Sequence, residues 1–398
     1  MAGLSQQVLK ENRLTEELLL EGAKKVGELA EQEAKIADEI ASVSAKVVSL
    51  MESTGITQMM IPKNQGGPDI GLRTFAKVVR KVANYNLSAA WLAYLYPLHN
   101  MLPAYLPRKG QDEIFNQGGL IADIFAAIGT AEKDGDGYRI SGKWNFVSGV
   151  NHADWVGVGV KIVMSDGDGK PEVCLPIIPV SELQIVENWD TFGLRGSGSN
   201  QVIAEDVYVP LERIFRPEQA EKTRRPYEEN YEEDYPLYHV PLFPAFYFGF
   251  PLIALGGAER MIEEFKKQTE KRVRLMDGVT ESESPRSQRV MAEITMEFKA
   301  AEALMDKYLE LLENYEKDGA TTSNAEFFAI RTKIVKATSE IALRILLTLG
   351  GGALYKGGPI ELFFRDILSV ATHKTSLYED SVAAYGQELF GFESGVRG

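Results

Sequence analysis

Between Leu120 and Arg216 the sequence changes texture, and that change constrains the fold more than any single motif. Short runs of alternating apolar and polar residues are punctuated there by KDGDG, SDGDGK and GLRGSGSN, the turn chemistry of successive strands. On both sides the pattern is helical. The run LTEELLLEGAKKVGELAEQEAKIADEIASVSAKVVSLM has no proline and apolar residues recurring at three and four, and further helices are expected at 72–83 and 88–105. Downstream, Ile294, Phe298, Ala301, Met305, Tyr308 and Leu312 form one stripe and Ile334, Ala337, Ile341, Ile345 and Leu349 another, the signature of a bundle. The expected class is α+β, mostly α: a helical domain over 1–118, a β domain over 119–216, and a helical bundle over 241–398. The tyrosine-rich, proline-bounded stretch between them, 217–240, reads as a lid-like surface excursion.

Within the β block, KWNFVSGVNHADWVGVGVKIVM reads as two half-buried strands around a Ser-Gly turn. Trp144, Phe146 and Ser148 share one parity and are expected on one face, which sets a small hydroxyl beside two aromatic rings.

Composition excludes several functions. Acids outnumber bases 57 to 43, for a net charge of −14, where a nucleic-acid binder needs clustered Lys and Arg. Cys174 is the single cysteine, so neither an internal disulfide nor a thiolate cluster is available, and a buried filler is expected. The first twenty residues lack the apolar stretch of a signal peptide, and the uncharged run 240–258 is broken by Pro241, Pro244 and Pro251. A buried core helix and a cytoplasmic protein, with no membrane partner, are expected.

No motif announces a nucleotide. GLRGSGSN and LGGGALYKGG lack the third glycine and the strand-turn-helix setting of a dinucleotide site, and no loop ends in Gly-Lys-Ser/Thr. The four histidines, His99, His152, His239 and His373, have no second His or Cys at metal-ligand spacing, so no metal is expected. His99 and His373 lie on largely apolar helical segments, where a hydrogen-bonded core role competes with catalysis. His152 reads as a turn residue, and Arg365 with Asp366 as a surface or interface ion pair.

Four segments taken in order, TGITQMMIPKNQGG, GYRISGKWNFVSGVNHADWVGVGV, WDTFGLRGSGSNQVIAEDVYVP and GGGALYKGGPIELFFRD, resemble the acyl-CoA dehydrogenase fold over nearly the whole chain. The resemblance implies a helical N-terminal domain, a central β-barrel-like domain, a C-terminal four-helix bundle, flavin between the last two, and a homodimer or homotetramer. A dehydrogenase of this fold needs a carboxylate base to remove an α-proton from an acyl thioester. The position that resembles the usual one holds His373 and Lys374; Glu379 comes about five residues too late, and PLFPAFYFGFPLIALGG, the other known location, has no acid.

The chain is more similar to the two-component (group D) flavin monooxygenase branch of this fold. There a histidine stands as His373 does, another follows a tryptophan helix as His99 follows Trp91, and a Ser-Gly ends the strand as Ser148-Gly149 does. This likeness implies His373, His99 and Ser148 as catalytic residues. It implies flavin contacts from Ser148, Phe146, Trp144, the backbone near Ala127 and Ile128, and, at the phosphate, Arg272 and Arg274. The implied activity is oxygenation of a small hydrophobic aromatic substrate through a C4a-hydroperoxyflavin. The implied cofactor is reduced FMN, or FAD, delivered by a separate NAD(P)H-flavin reductase. The competing reading is an acyl-CoA dehydrogenase or oxidase with a displaced base; a third is a flavin-storage protein on the same scaffold.

Overall fold

The computed structural model describes residues 14–68, 70–163, 169–223, 240–274, 278–315 and 322–394. Six helices come first: α1 (Glu16–Gln32), α2 (Ala34–Ile40), α3 (Ala45–Ser53), α4 (Leu72–Ala83), α5 (Leu87–His99) and α6 (Arg108–Gln117). The long proline-free run therefore folds as three helices rather than one. Ala41 takes a left-handed φ of 52° after α2, and Ser44 then caps α3 by accepting from Val47 N–H. Helix α5 ends at His99, and Leu102–Tyr105 continues as a 3-10 turn instead of extending it.

Seven strands form one sheet in the order β5-β6-β2-β1-β3-β4-β7. They are β1 (Ile121–Asp134), β2 (Gly137–Val147), β3 (Trp155–Val163), β4 (Pro171–Pro179), β5 (Gln184–Val186), β6 (Asn200–Pro210) and β7 (Ile214–Phe215). Their inward side chains, Cys174 among them, make a core separate from the large helical one. Helix α7 (Pro217–Thr223) opens the lid-like stretch; residues 224–239, with His239, lie outside the described residues.

The remaining helices are α8 (Leu242–Tyr247), α9 (Gly249–Lys271), α10 (Pro285–Glu313), α11 (Asn324–Leu349), α12 (Pro359–Ala371) and α13 (Tyr378–Leu389). Both predicted stripes face inward, with Ala337 only partly covered. Two helical runs, Leu242–Lys271 and Asn324–Leu354, are long and apolar enough to cross a membrane by length and composition. The apolar window of the first is 83% buried within the fold, as a core helix requires.

The expected Arg365–Asp366 pair is not a pair. Arg365 is buried and bonds Glu361 at 2.6 Å, Asp38 at 3.0 Å and the Phe192 carbonyl at 2.6 Å. Asp366 instead accepts from Leu194 N–H at 2.7 Å, because adjacent helix positions face different directions and α12 lies between two domains. Together they latch the bundle to the β domain.

Burial pushes the Asp366 carboxyl up to about 7, against the pull of the Leu194 bond and Arg365. The folded state therefore favours the protonated acid. Its contribution is complete below about pH 4 and is lost as pH rises through 7. Asp366→Asn keeps an acceptor for Leu194 and cannot ionise. We expect its melting temperature to change less than that of the unsubstituted protein between pH 5 and 8, by the equivalent of about 2–4 kcal/mol, in thermal melts across that range.

Candidate active site

The site is built where α5, β1, the end of β2 and the bundle meet, and Trp91 of α5 is its hinge. Trp91 Nε1–H donates to Ser148 Oγ at 3.0 Å. Its ring stacks on Phe250 at 4.9 Å and lies 5.8 Å from the ring of His373. Ser148, 225 positions before His373 in sequence, thus shares a neighbour with it in space.

Ser148 begins a row of hydroxyls, with Ser199 Oγ at 2.8 Å and Ser197 Oγ a further 2.7 Å on. Trp91 takes one lone pair of Ser148. The hydroxyl hydrogen goes to Ser199, leaving a second lone pair as an acceptor, or turns outward, making Ser148 a donor. The following Gly149 has φ 75°, and a Cβ there would come within 2.6 Å of the Tyr96 hydroxyl, so this turn requires glycine.

The shared face expected for Trp144, Phe146 and Ser148 does not form. Phe146 has a left-handed φ of 68°, and the β2–β6 register shifts between Trp144 and Val147. That bulge reverses the alternation. Trp144 is fully buried in the β core, donating Nε1–H to the Gly159 carbonyl at 2.9 Å and leaving no room for a Cβ at Gly129. Phe146, 65% exposed, meets Trp189 edge-on at 5.8 Å. Nothing in a regular strand pattern marks such a bulge.

Ala127 and Ile128 lie where β1 leaves both its neighbours. Pairing with β3 runs from Ile121 to Ile124 and resumes at Gly129, and pairing with β2 starts at Thr130. Backbone groups of 125–128 are thus outside both ladders, and the Ile128 side chain is 64% exposed. A strand backbone at a break in register, an exposed Phe146 and a serine with hydrogen-bonding capacity to spare fit a flat heterocycle with polar edges, as an isoalloxazine is.

The two histidines occupy opposite ends of one string of ring contacts. From His373 it runs through Phe250 (4.7 Å), Tyr247 (6.1 Å), Phe243 (6.1 Å), Phe125 (6.3 Å) and Phe246 (5.4 Å) to His99 (5.9 Å). His99 is buried, and because a carbonyl only accepts, its Nδ1 donates to Ile121 O at 2.9 Å. Its Nε2 faces Asp123 Oδ2 at 3.3 Å, close enough for an ion pair but without hydrogen-bond geometry. Burial pushes Asp123 up, with His99 opposing.

His373 sits just past α12. Thr375 N–H donates to its Nδ1 at 3.3 Å and Thr375 Oγ1 lies 2.8 Å from the same atom. The neutral ring then carries its hydrogen on Nε2, which has no hydrogen bond among the described residues. Burial, helped by the charge of Arg331, pushes His373 down to about 4. It is neutral at physiological pH.

The other candidates lie elsewhere. Arg272 and Arg274 follow the far end of α9, whose 23 residues separate its ends by about 33 Å, and the near end carries Phe250. Arg272 there donates to the Leu349 carbonyl at 2.9 Å. One chain does not bring these arginines to Ser148. His152 is structural, with Nε2 donating to the Val43 carbonyl at 2.9 Å. Glu379 is exposed on the first turn of α13. Asp123, Ser199, Phe250 and Arg331 are site neighbours that no local sequence pattern distinguishes.

Comparison with known proteins gives the fold and the relatives of the chain. Residues 248–376 match the family model of the acyl-CoA dehydrogenase C-terminal domain. In overall fold the chain resembles XiaF from Streptomyces sp., solved in complex with FADH2 and glycerol (TM-score 0.86, 20% identity, 100% of this chain and 99% of that one). It also resembles TdsC from Paenibacillus sp. A11-2, solved with FMN and indole (TM-score 0.78, 16% identity, 95% and 99%). The fold is that of the acyl-CoA dehydrogenases, with its helical C-terminal domain.

Curated relatives narrow the class. The oxygenase component of p-hydroxyphenylacetate 3-hydroxylase from Acinetobacter baumannii is 27% identical, covering 90% of this chain and 86% of that protein. The oxygenase subunit HsaA, a flavin-dependent monooxygenase of Rhodococcus jostii, is 26% identical over 86% and 90%. Over most of its length the chain is similar to oxygenase components of flavin monooxygenases, and its fold is the one shared with the acyl-CoA dehydrogenases.

Proposed function

We propose that this chain is the oxygenase component of a two-component system. It takes reduced FMN, or FAD, from a separate NAD(P)H-flavin reductase and oxygenates a small hydrophobic aromatic substrate. The observation that carries this reading is the junction at Trp91, which joins a hydroxyl on the β domain to a neutral histidine on the bundle through one ring. Reduced flavin, when bound, supplies the electrons that activate dioxygen for insertion of one oxygen atom.

The chain's own residues do the rest. Ser148 holds the polar edge of the ring system, and the backbone at Ala127 and Ile128 borders it. The apolar wall of Trp91, Phe250, Tyr247 and Phe246 keeps water from the reacting atoms and packs an aromatic substrate. His373 donates Nε2–H to oxygen on its way to the substrate. At the other end His99 and Asp123 together can take up a proton from a substrate hydroxyl, since the raised Asp123 carboxyl and the imidazole share the contact.

Stopped-flow absorbance tests this. Purified protein mixed anaerobically with reduced FMN, then with oxygenated buffer, should give a near-ultraviolet absorbance that outlives the free-flavin reaction. Immediate appearance of oxidised flavin, with and without aromatic substrates, would sink the proposal. Asp123 is the observation that favours the acyl-CoA dehydrogenase alternative, being a buried carboxylate whose Oδ2 lacks a hydrogen bond of good geometry among the described residues. Bleaching of bound flavin by an acyl-CoA would establish that reading instead.

We further propose a cytoplasmic homodimer or homotetramer. Leu343, Leu347, Leu354 and Tyr355 are exposed on and just beyond α11, and Leu389, Phe390 and Phe392 are exposed at the C-terminal helix, an apolar surface that self-association would cover. A flavin phosphate met by Arg272 or Arg274 would belong to another copy. Leu347→Asp should shift the assembly toward monomer in size exclusion with light scattering; an unchanged mass would place the interface elsewhere.

A further inference from the structure

Arg331, on α11, is buried to 1% exposure, yet the described residues give it no carboxylate. Its Nη2 donates to the Thr375 carbonyl, while Nε and Nη1 have no hydrogen-bond partner among those residues. Two ring faces lie against the guanidinium, Phe328 at 4.5 Å and Tyr247 at 5.0 Å. Burying a cation in this way carries a desolvation penalty that cation–π contacts offset only in part. A methionine of similar length would fill the space without that cost, so the charge and its one strong bond need a reason.

That reason lies two residues from Thr375 in the chain. The peptide whose carbonyl Arg331 holds belongs to the residue whose N–H and hydroxyl both meet His373 Nδ1. We propose that Arg331 is a positioning residue: by gripping Thr375 from α11 it aims this turn at Nδ1 and so fixes His373 as the Nε2–H tautomer beside Trp91. This deepens the monooxygenase reading, which needs that hydrogen for its oxygen-transfer step. The arrangement of proton and ring is a property of the resting protein and does not depend on turnover. The charge acts in the same direction, since it opposes protonation of His373; Lys374, the neighbouring cation in the chain, is exposed and acts through solvent.

The test is a long-range nitrogen–proton correlation spectrum of the protein labelled with 15N-histidine, in which four residues give four patterns. His373, assigned by loss of its signals in His373→Asn, is expected as Nε2–H in the unsubstituted protein. A spectrum showing Nδ1–H would end the proposal before any Arg331 variant is made. Arg331→Gln keeps a donor for Thr375 and should retain the tautomer, while Arg331→Met should give a mixture. In both, the His373 midpoint should move up part of the way from about 4 toward 6.5. An Arg331→Met protein that melts lower but keeps the same His373 pattern and midpoint would show a purely structural arginine and overturn the proposal. Failure of the monooxygenase reading would appear separately, as no long-lived absorbance in the unsubstituted protein.

Discussion

His373→Ala is expected to lower product formation by about 10²–10⁴-fold, the range spanned by positioned proton donors and acceptors, while the protein still binds reduced flavin. The ring lies beside the stacked pair Trp91 and Phe250, next to the Ser148 hydroxyl's own partner, and its hydrogen bonds among the described residues go to Thr375 in its own turn. Its removal should therefore separate oxygen activation from oxygen transfer. Oxygen would still be consumed and hydrogen peroxide released in place of product, which a peroxidase-coupled assay run beside product chromatography would show. His373→Asn should recover part of the loss, because an amide N–H can donate where imidazole Nε2–H did.

The pH dependence follows from the same environment. A histidine pushed down to about 4 stays neutral throughout the range in which an exposed one titrates. Product yield should show no inflection near pH 6.5 assignable to this residue. An inflection there that vanishes in His373→Asn would contradict the placement of the ring.

Ser148→Ala is expected to shorten the near-ultraviolet absorbance by about 10- to 100-fold, corresponding to about 1.5–3 kcal/mol for one hydrogen bond in a water-poor site. Ser148 is held from two sides, by the Trp91 indole N–H at 3.0 Å and by the Ser199 hydroxyl at 2.8 Å. On the proposed reading alanine removes the bond that Ser148 would make to the flavin edge, and it takes one hydrogen-bond partner from each of Trp91 and Ser199. Stopped-flow traces at matched flavin concentrations measure the lifetime directly. A lifetime unchanged in Ser148→Ala would mean that the flavin's polar edge is held elsewhere, with the backbone of 125–128 the first place to look.

Ser199→Ala offers a graded comparison. It leaves Trp91 on Ser148 but removes the next hydroxyl of the row, so its effect should be in the same direction and smaller.

The periodic elements were legible in the sequence because burial imposes the period. The stripe from Ile294 to Leu312 faces the bundle core as its spacing requires, and the turn-punctuated block after Leu120 is the sheet. The resemblance carried by four short segments named the fold class and pointed to Ser148, His99 and His373. Local periodicity failed where tertiary geometry overrode it. The alternation in KWNFV gave Trp144 and Phe146 one face, and a single left-handed residue gave them opposite ones. Arg365 and Asp366 looked like a pair by adjacency, and α12 turned them toward Glu361 and the Leu194 peptide instead.

By itself, then, the sequence determined which segments are helices and strands and which residues are able to do acid-base and hydrogen-bond chemistry, since both follow from side-chain type and spacing. Only the tertiary structure decided how those residues are used. It brought Ser148 and His373 to one tryptophan, set Asp123 against His99, left Arg272 and Arg274 past the far end of α9 from Phe250, and put behind Thr375 an arginine with no carboxylate among the described residues. The physical reason is that protonation state, hydrogen-bond direction and solvent exclusion depend on neighbours distant in the chain, and no local pattern of residues specifies those neighbours.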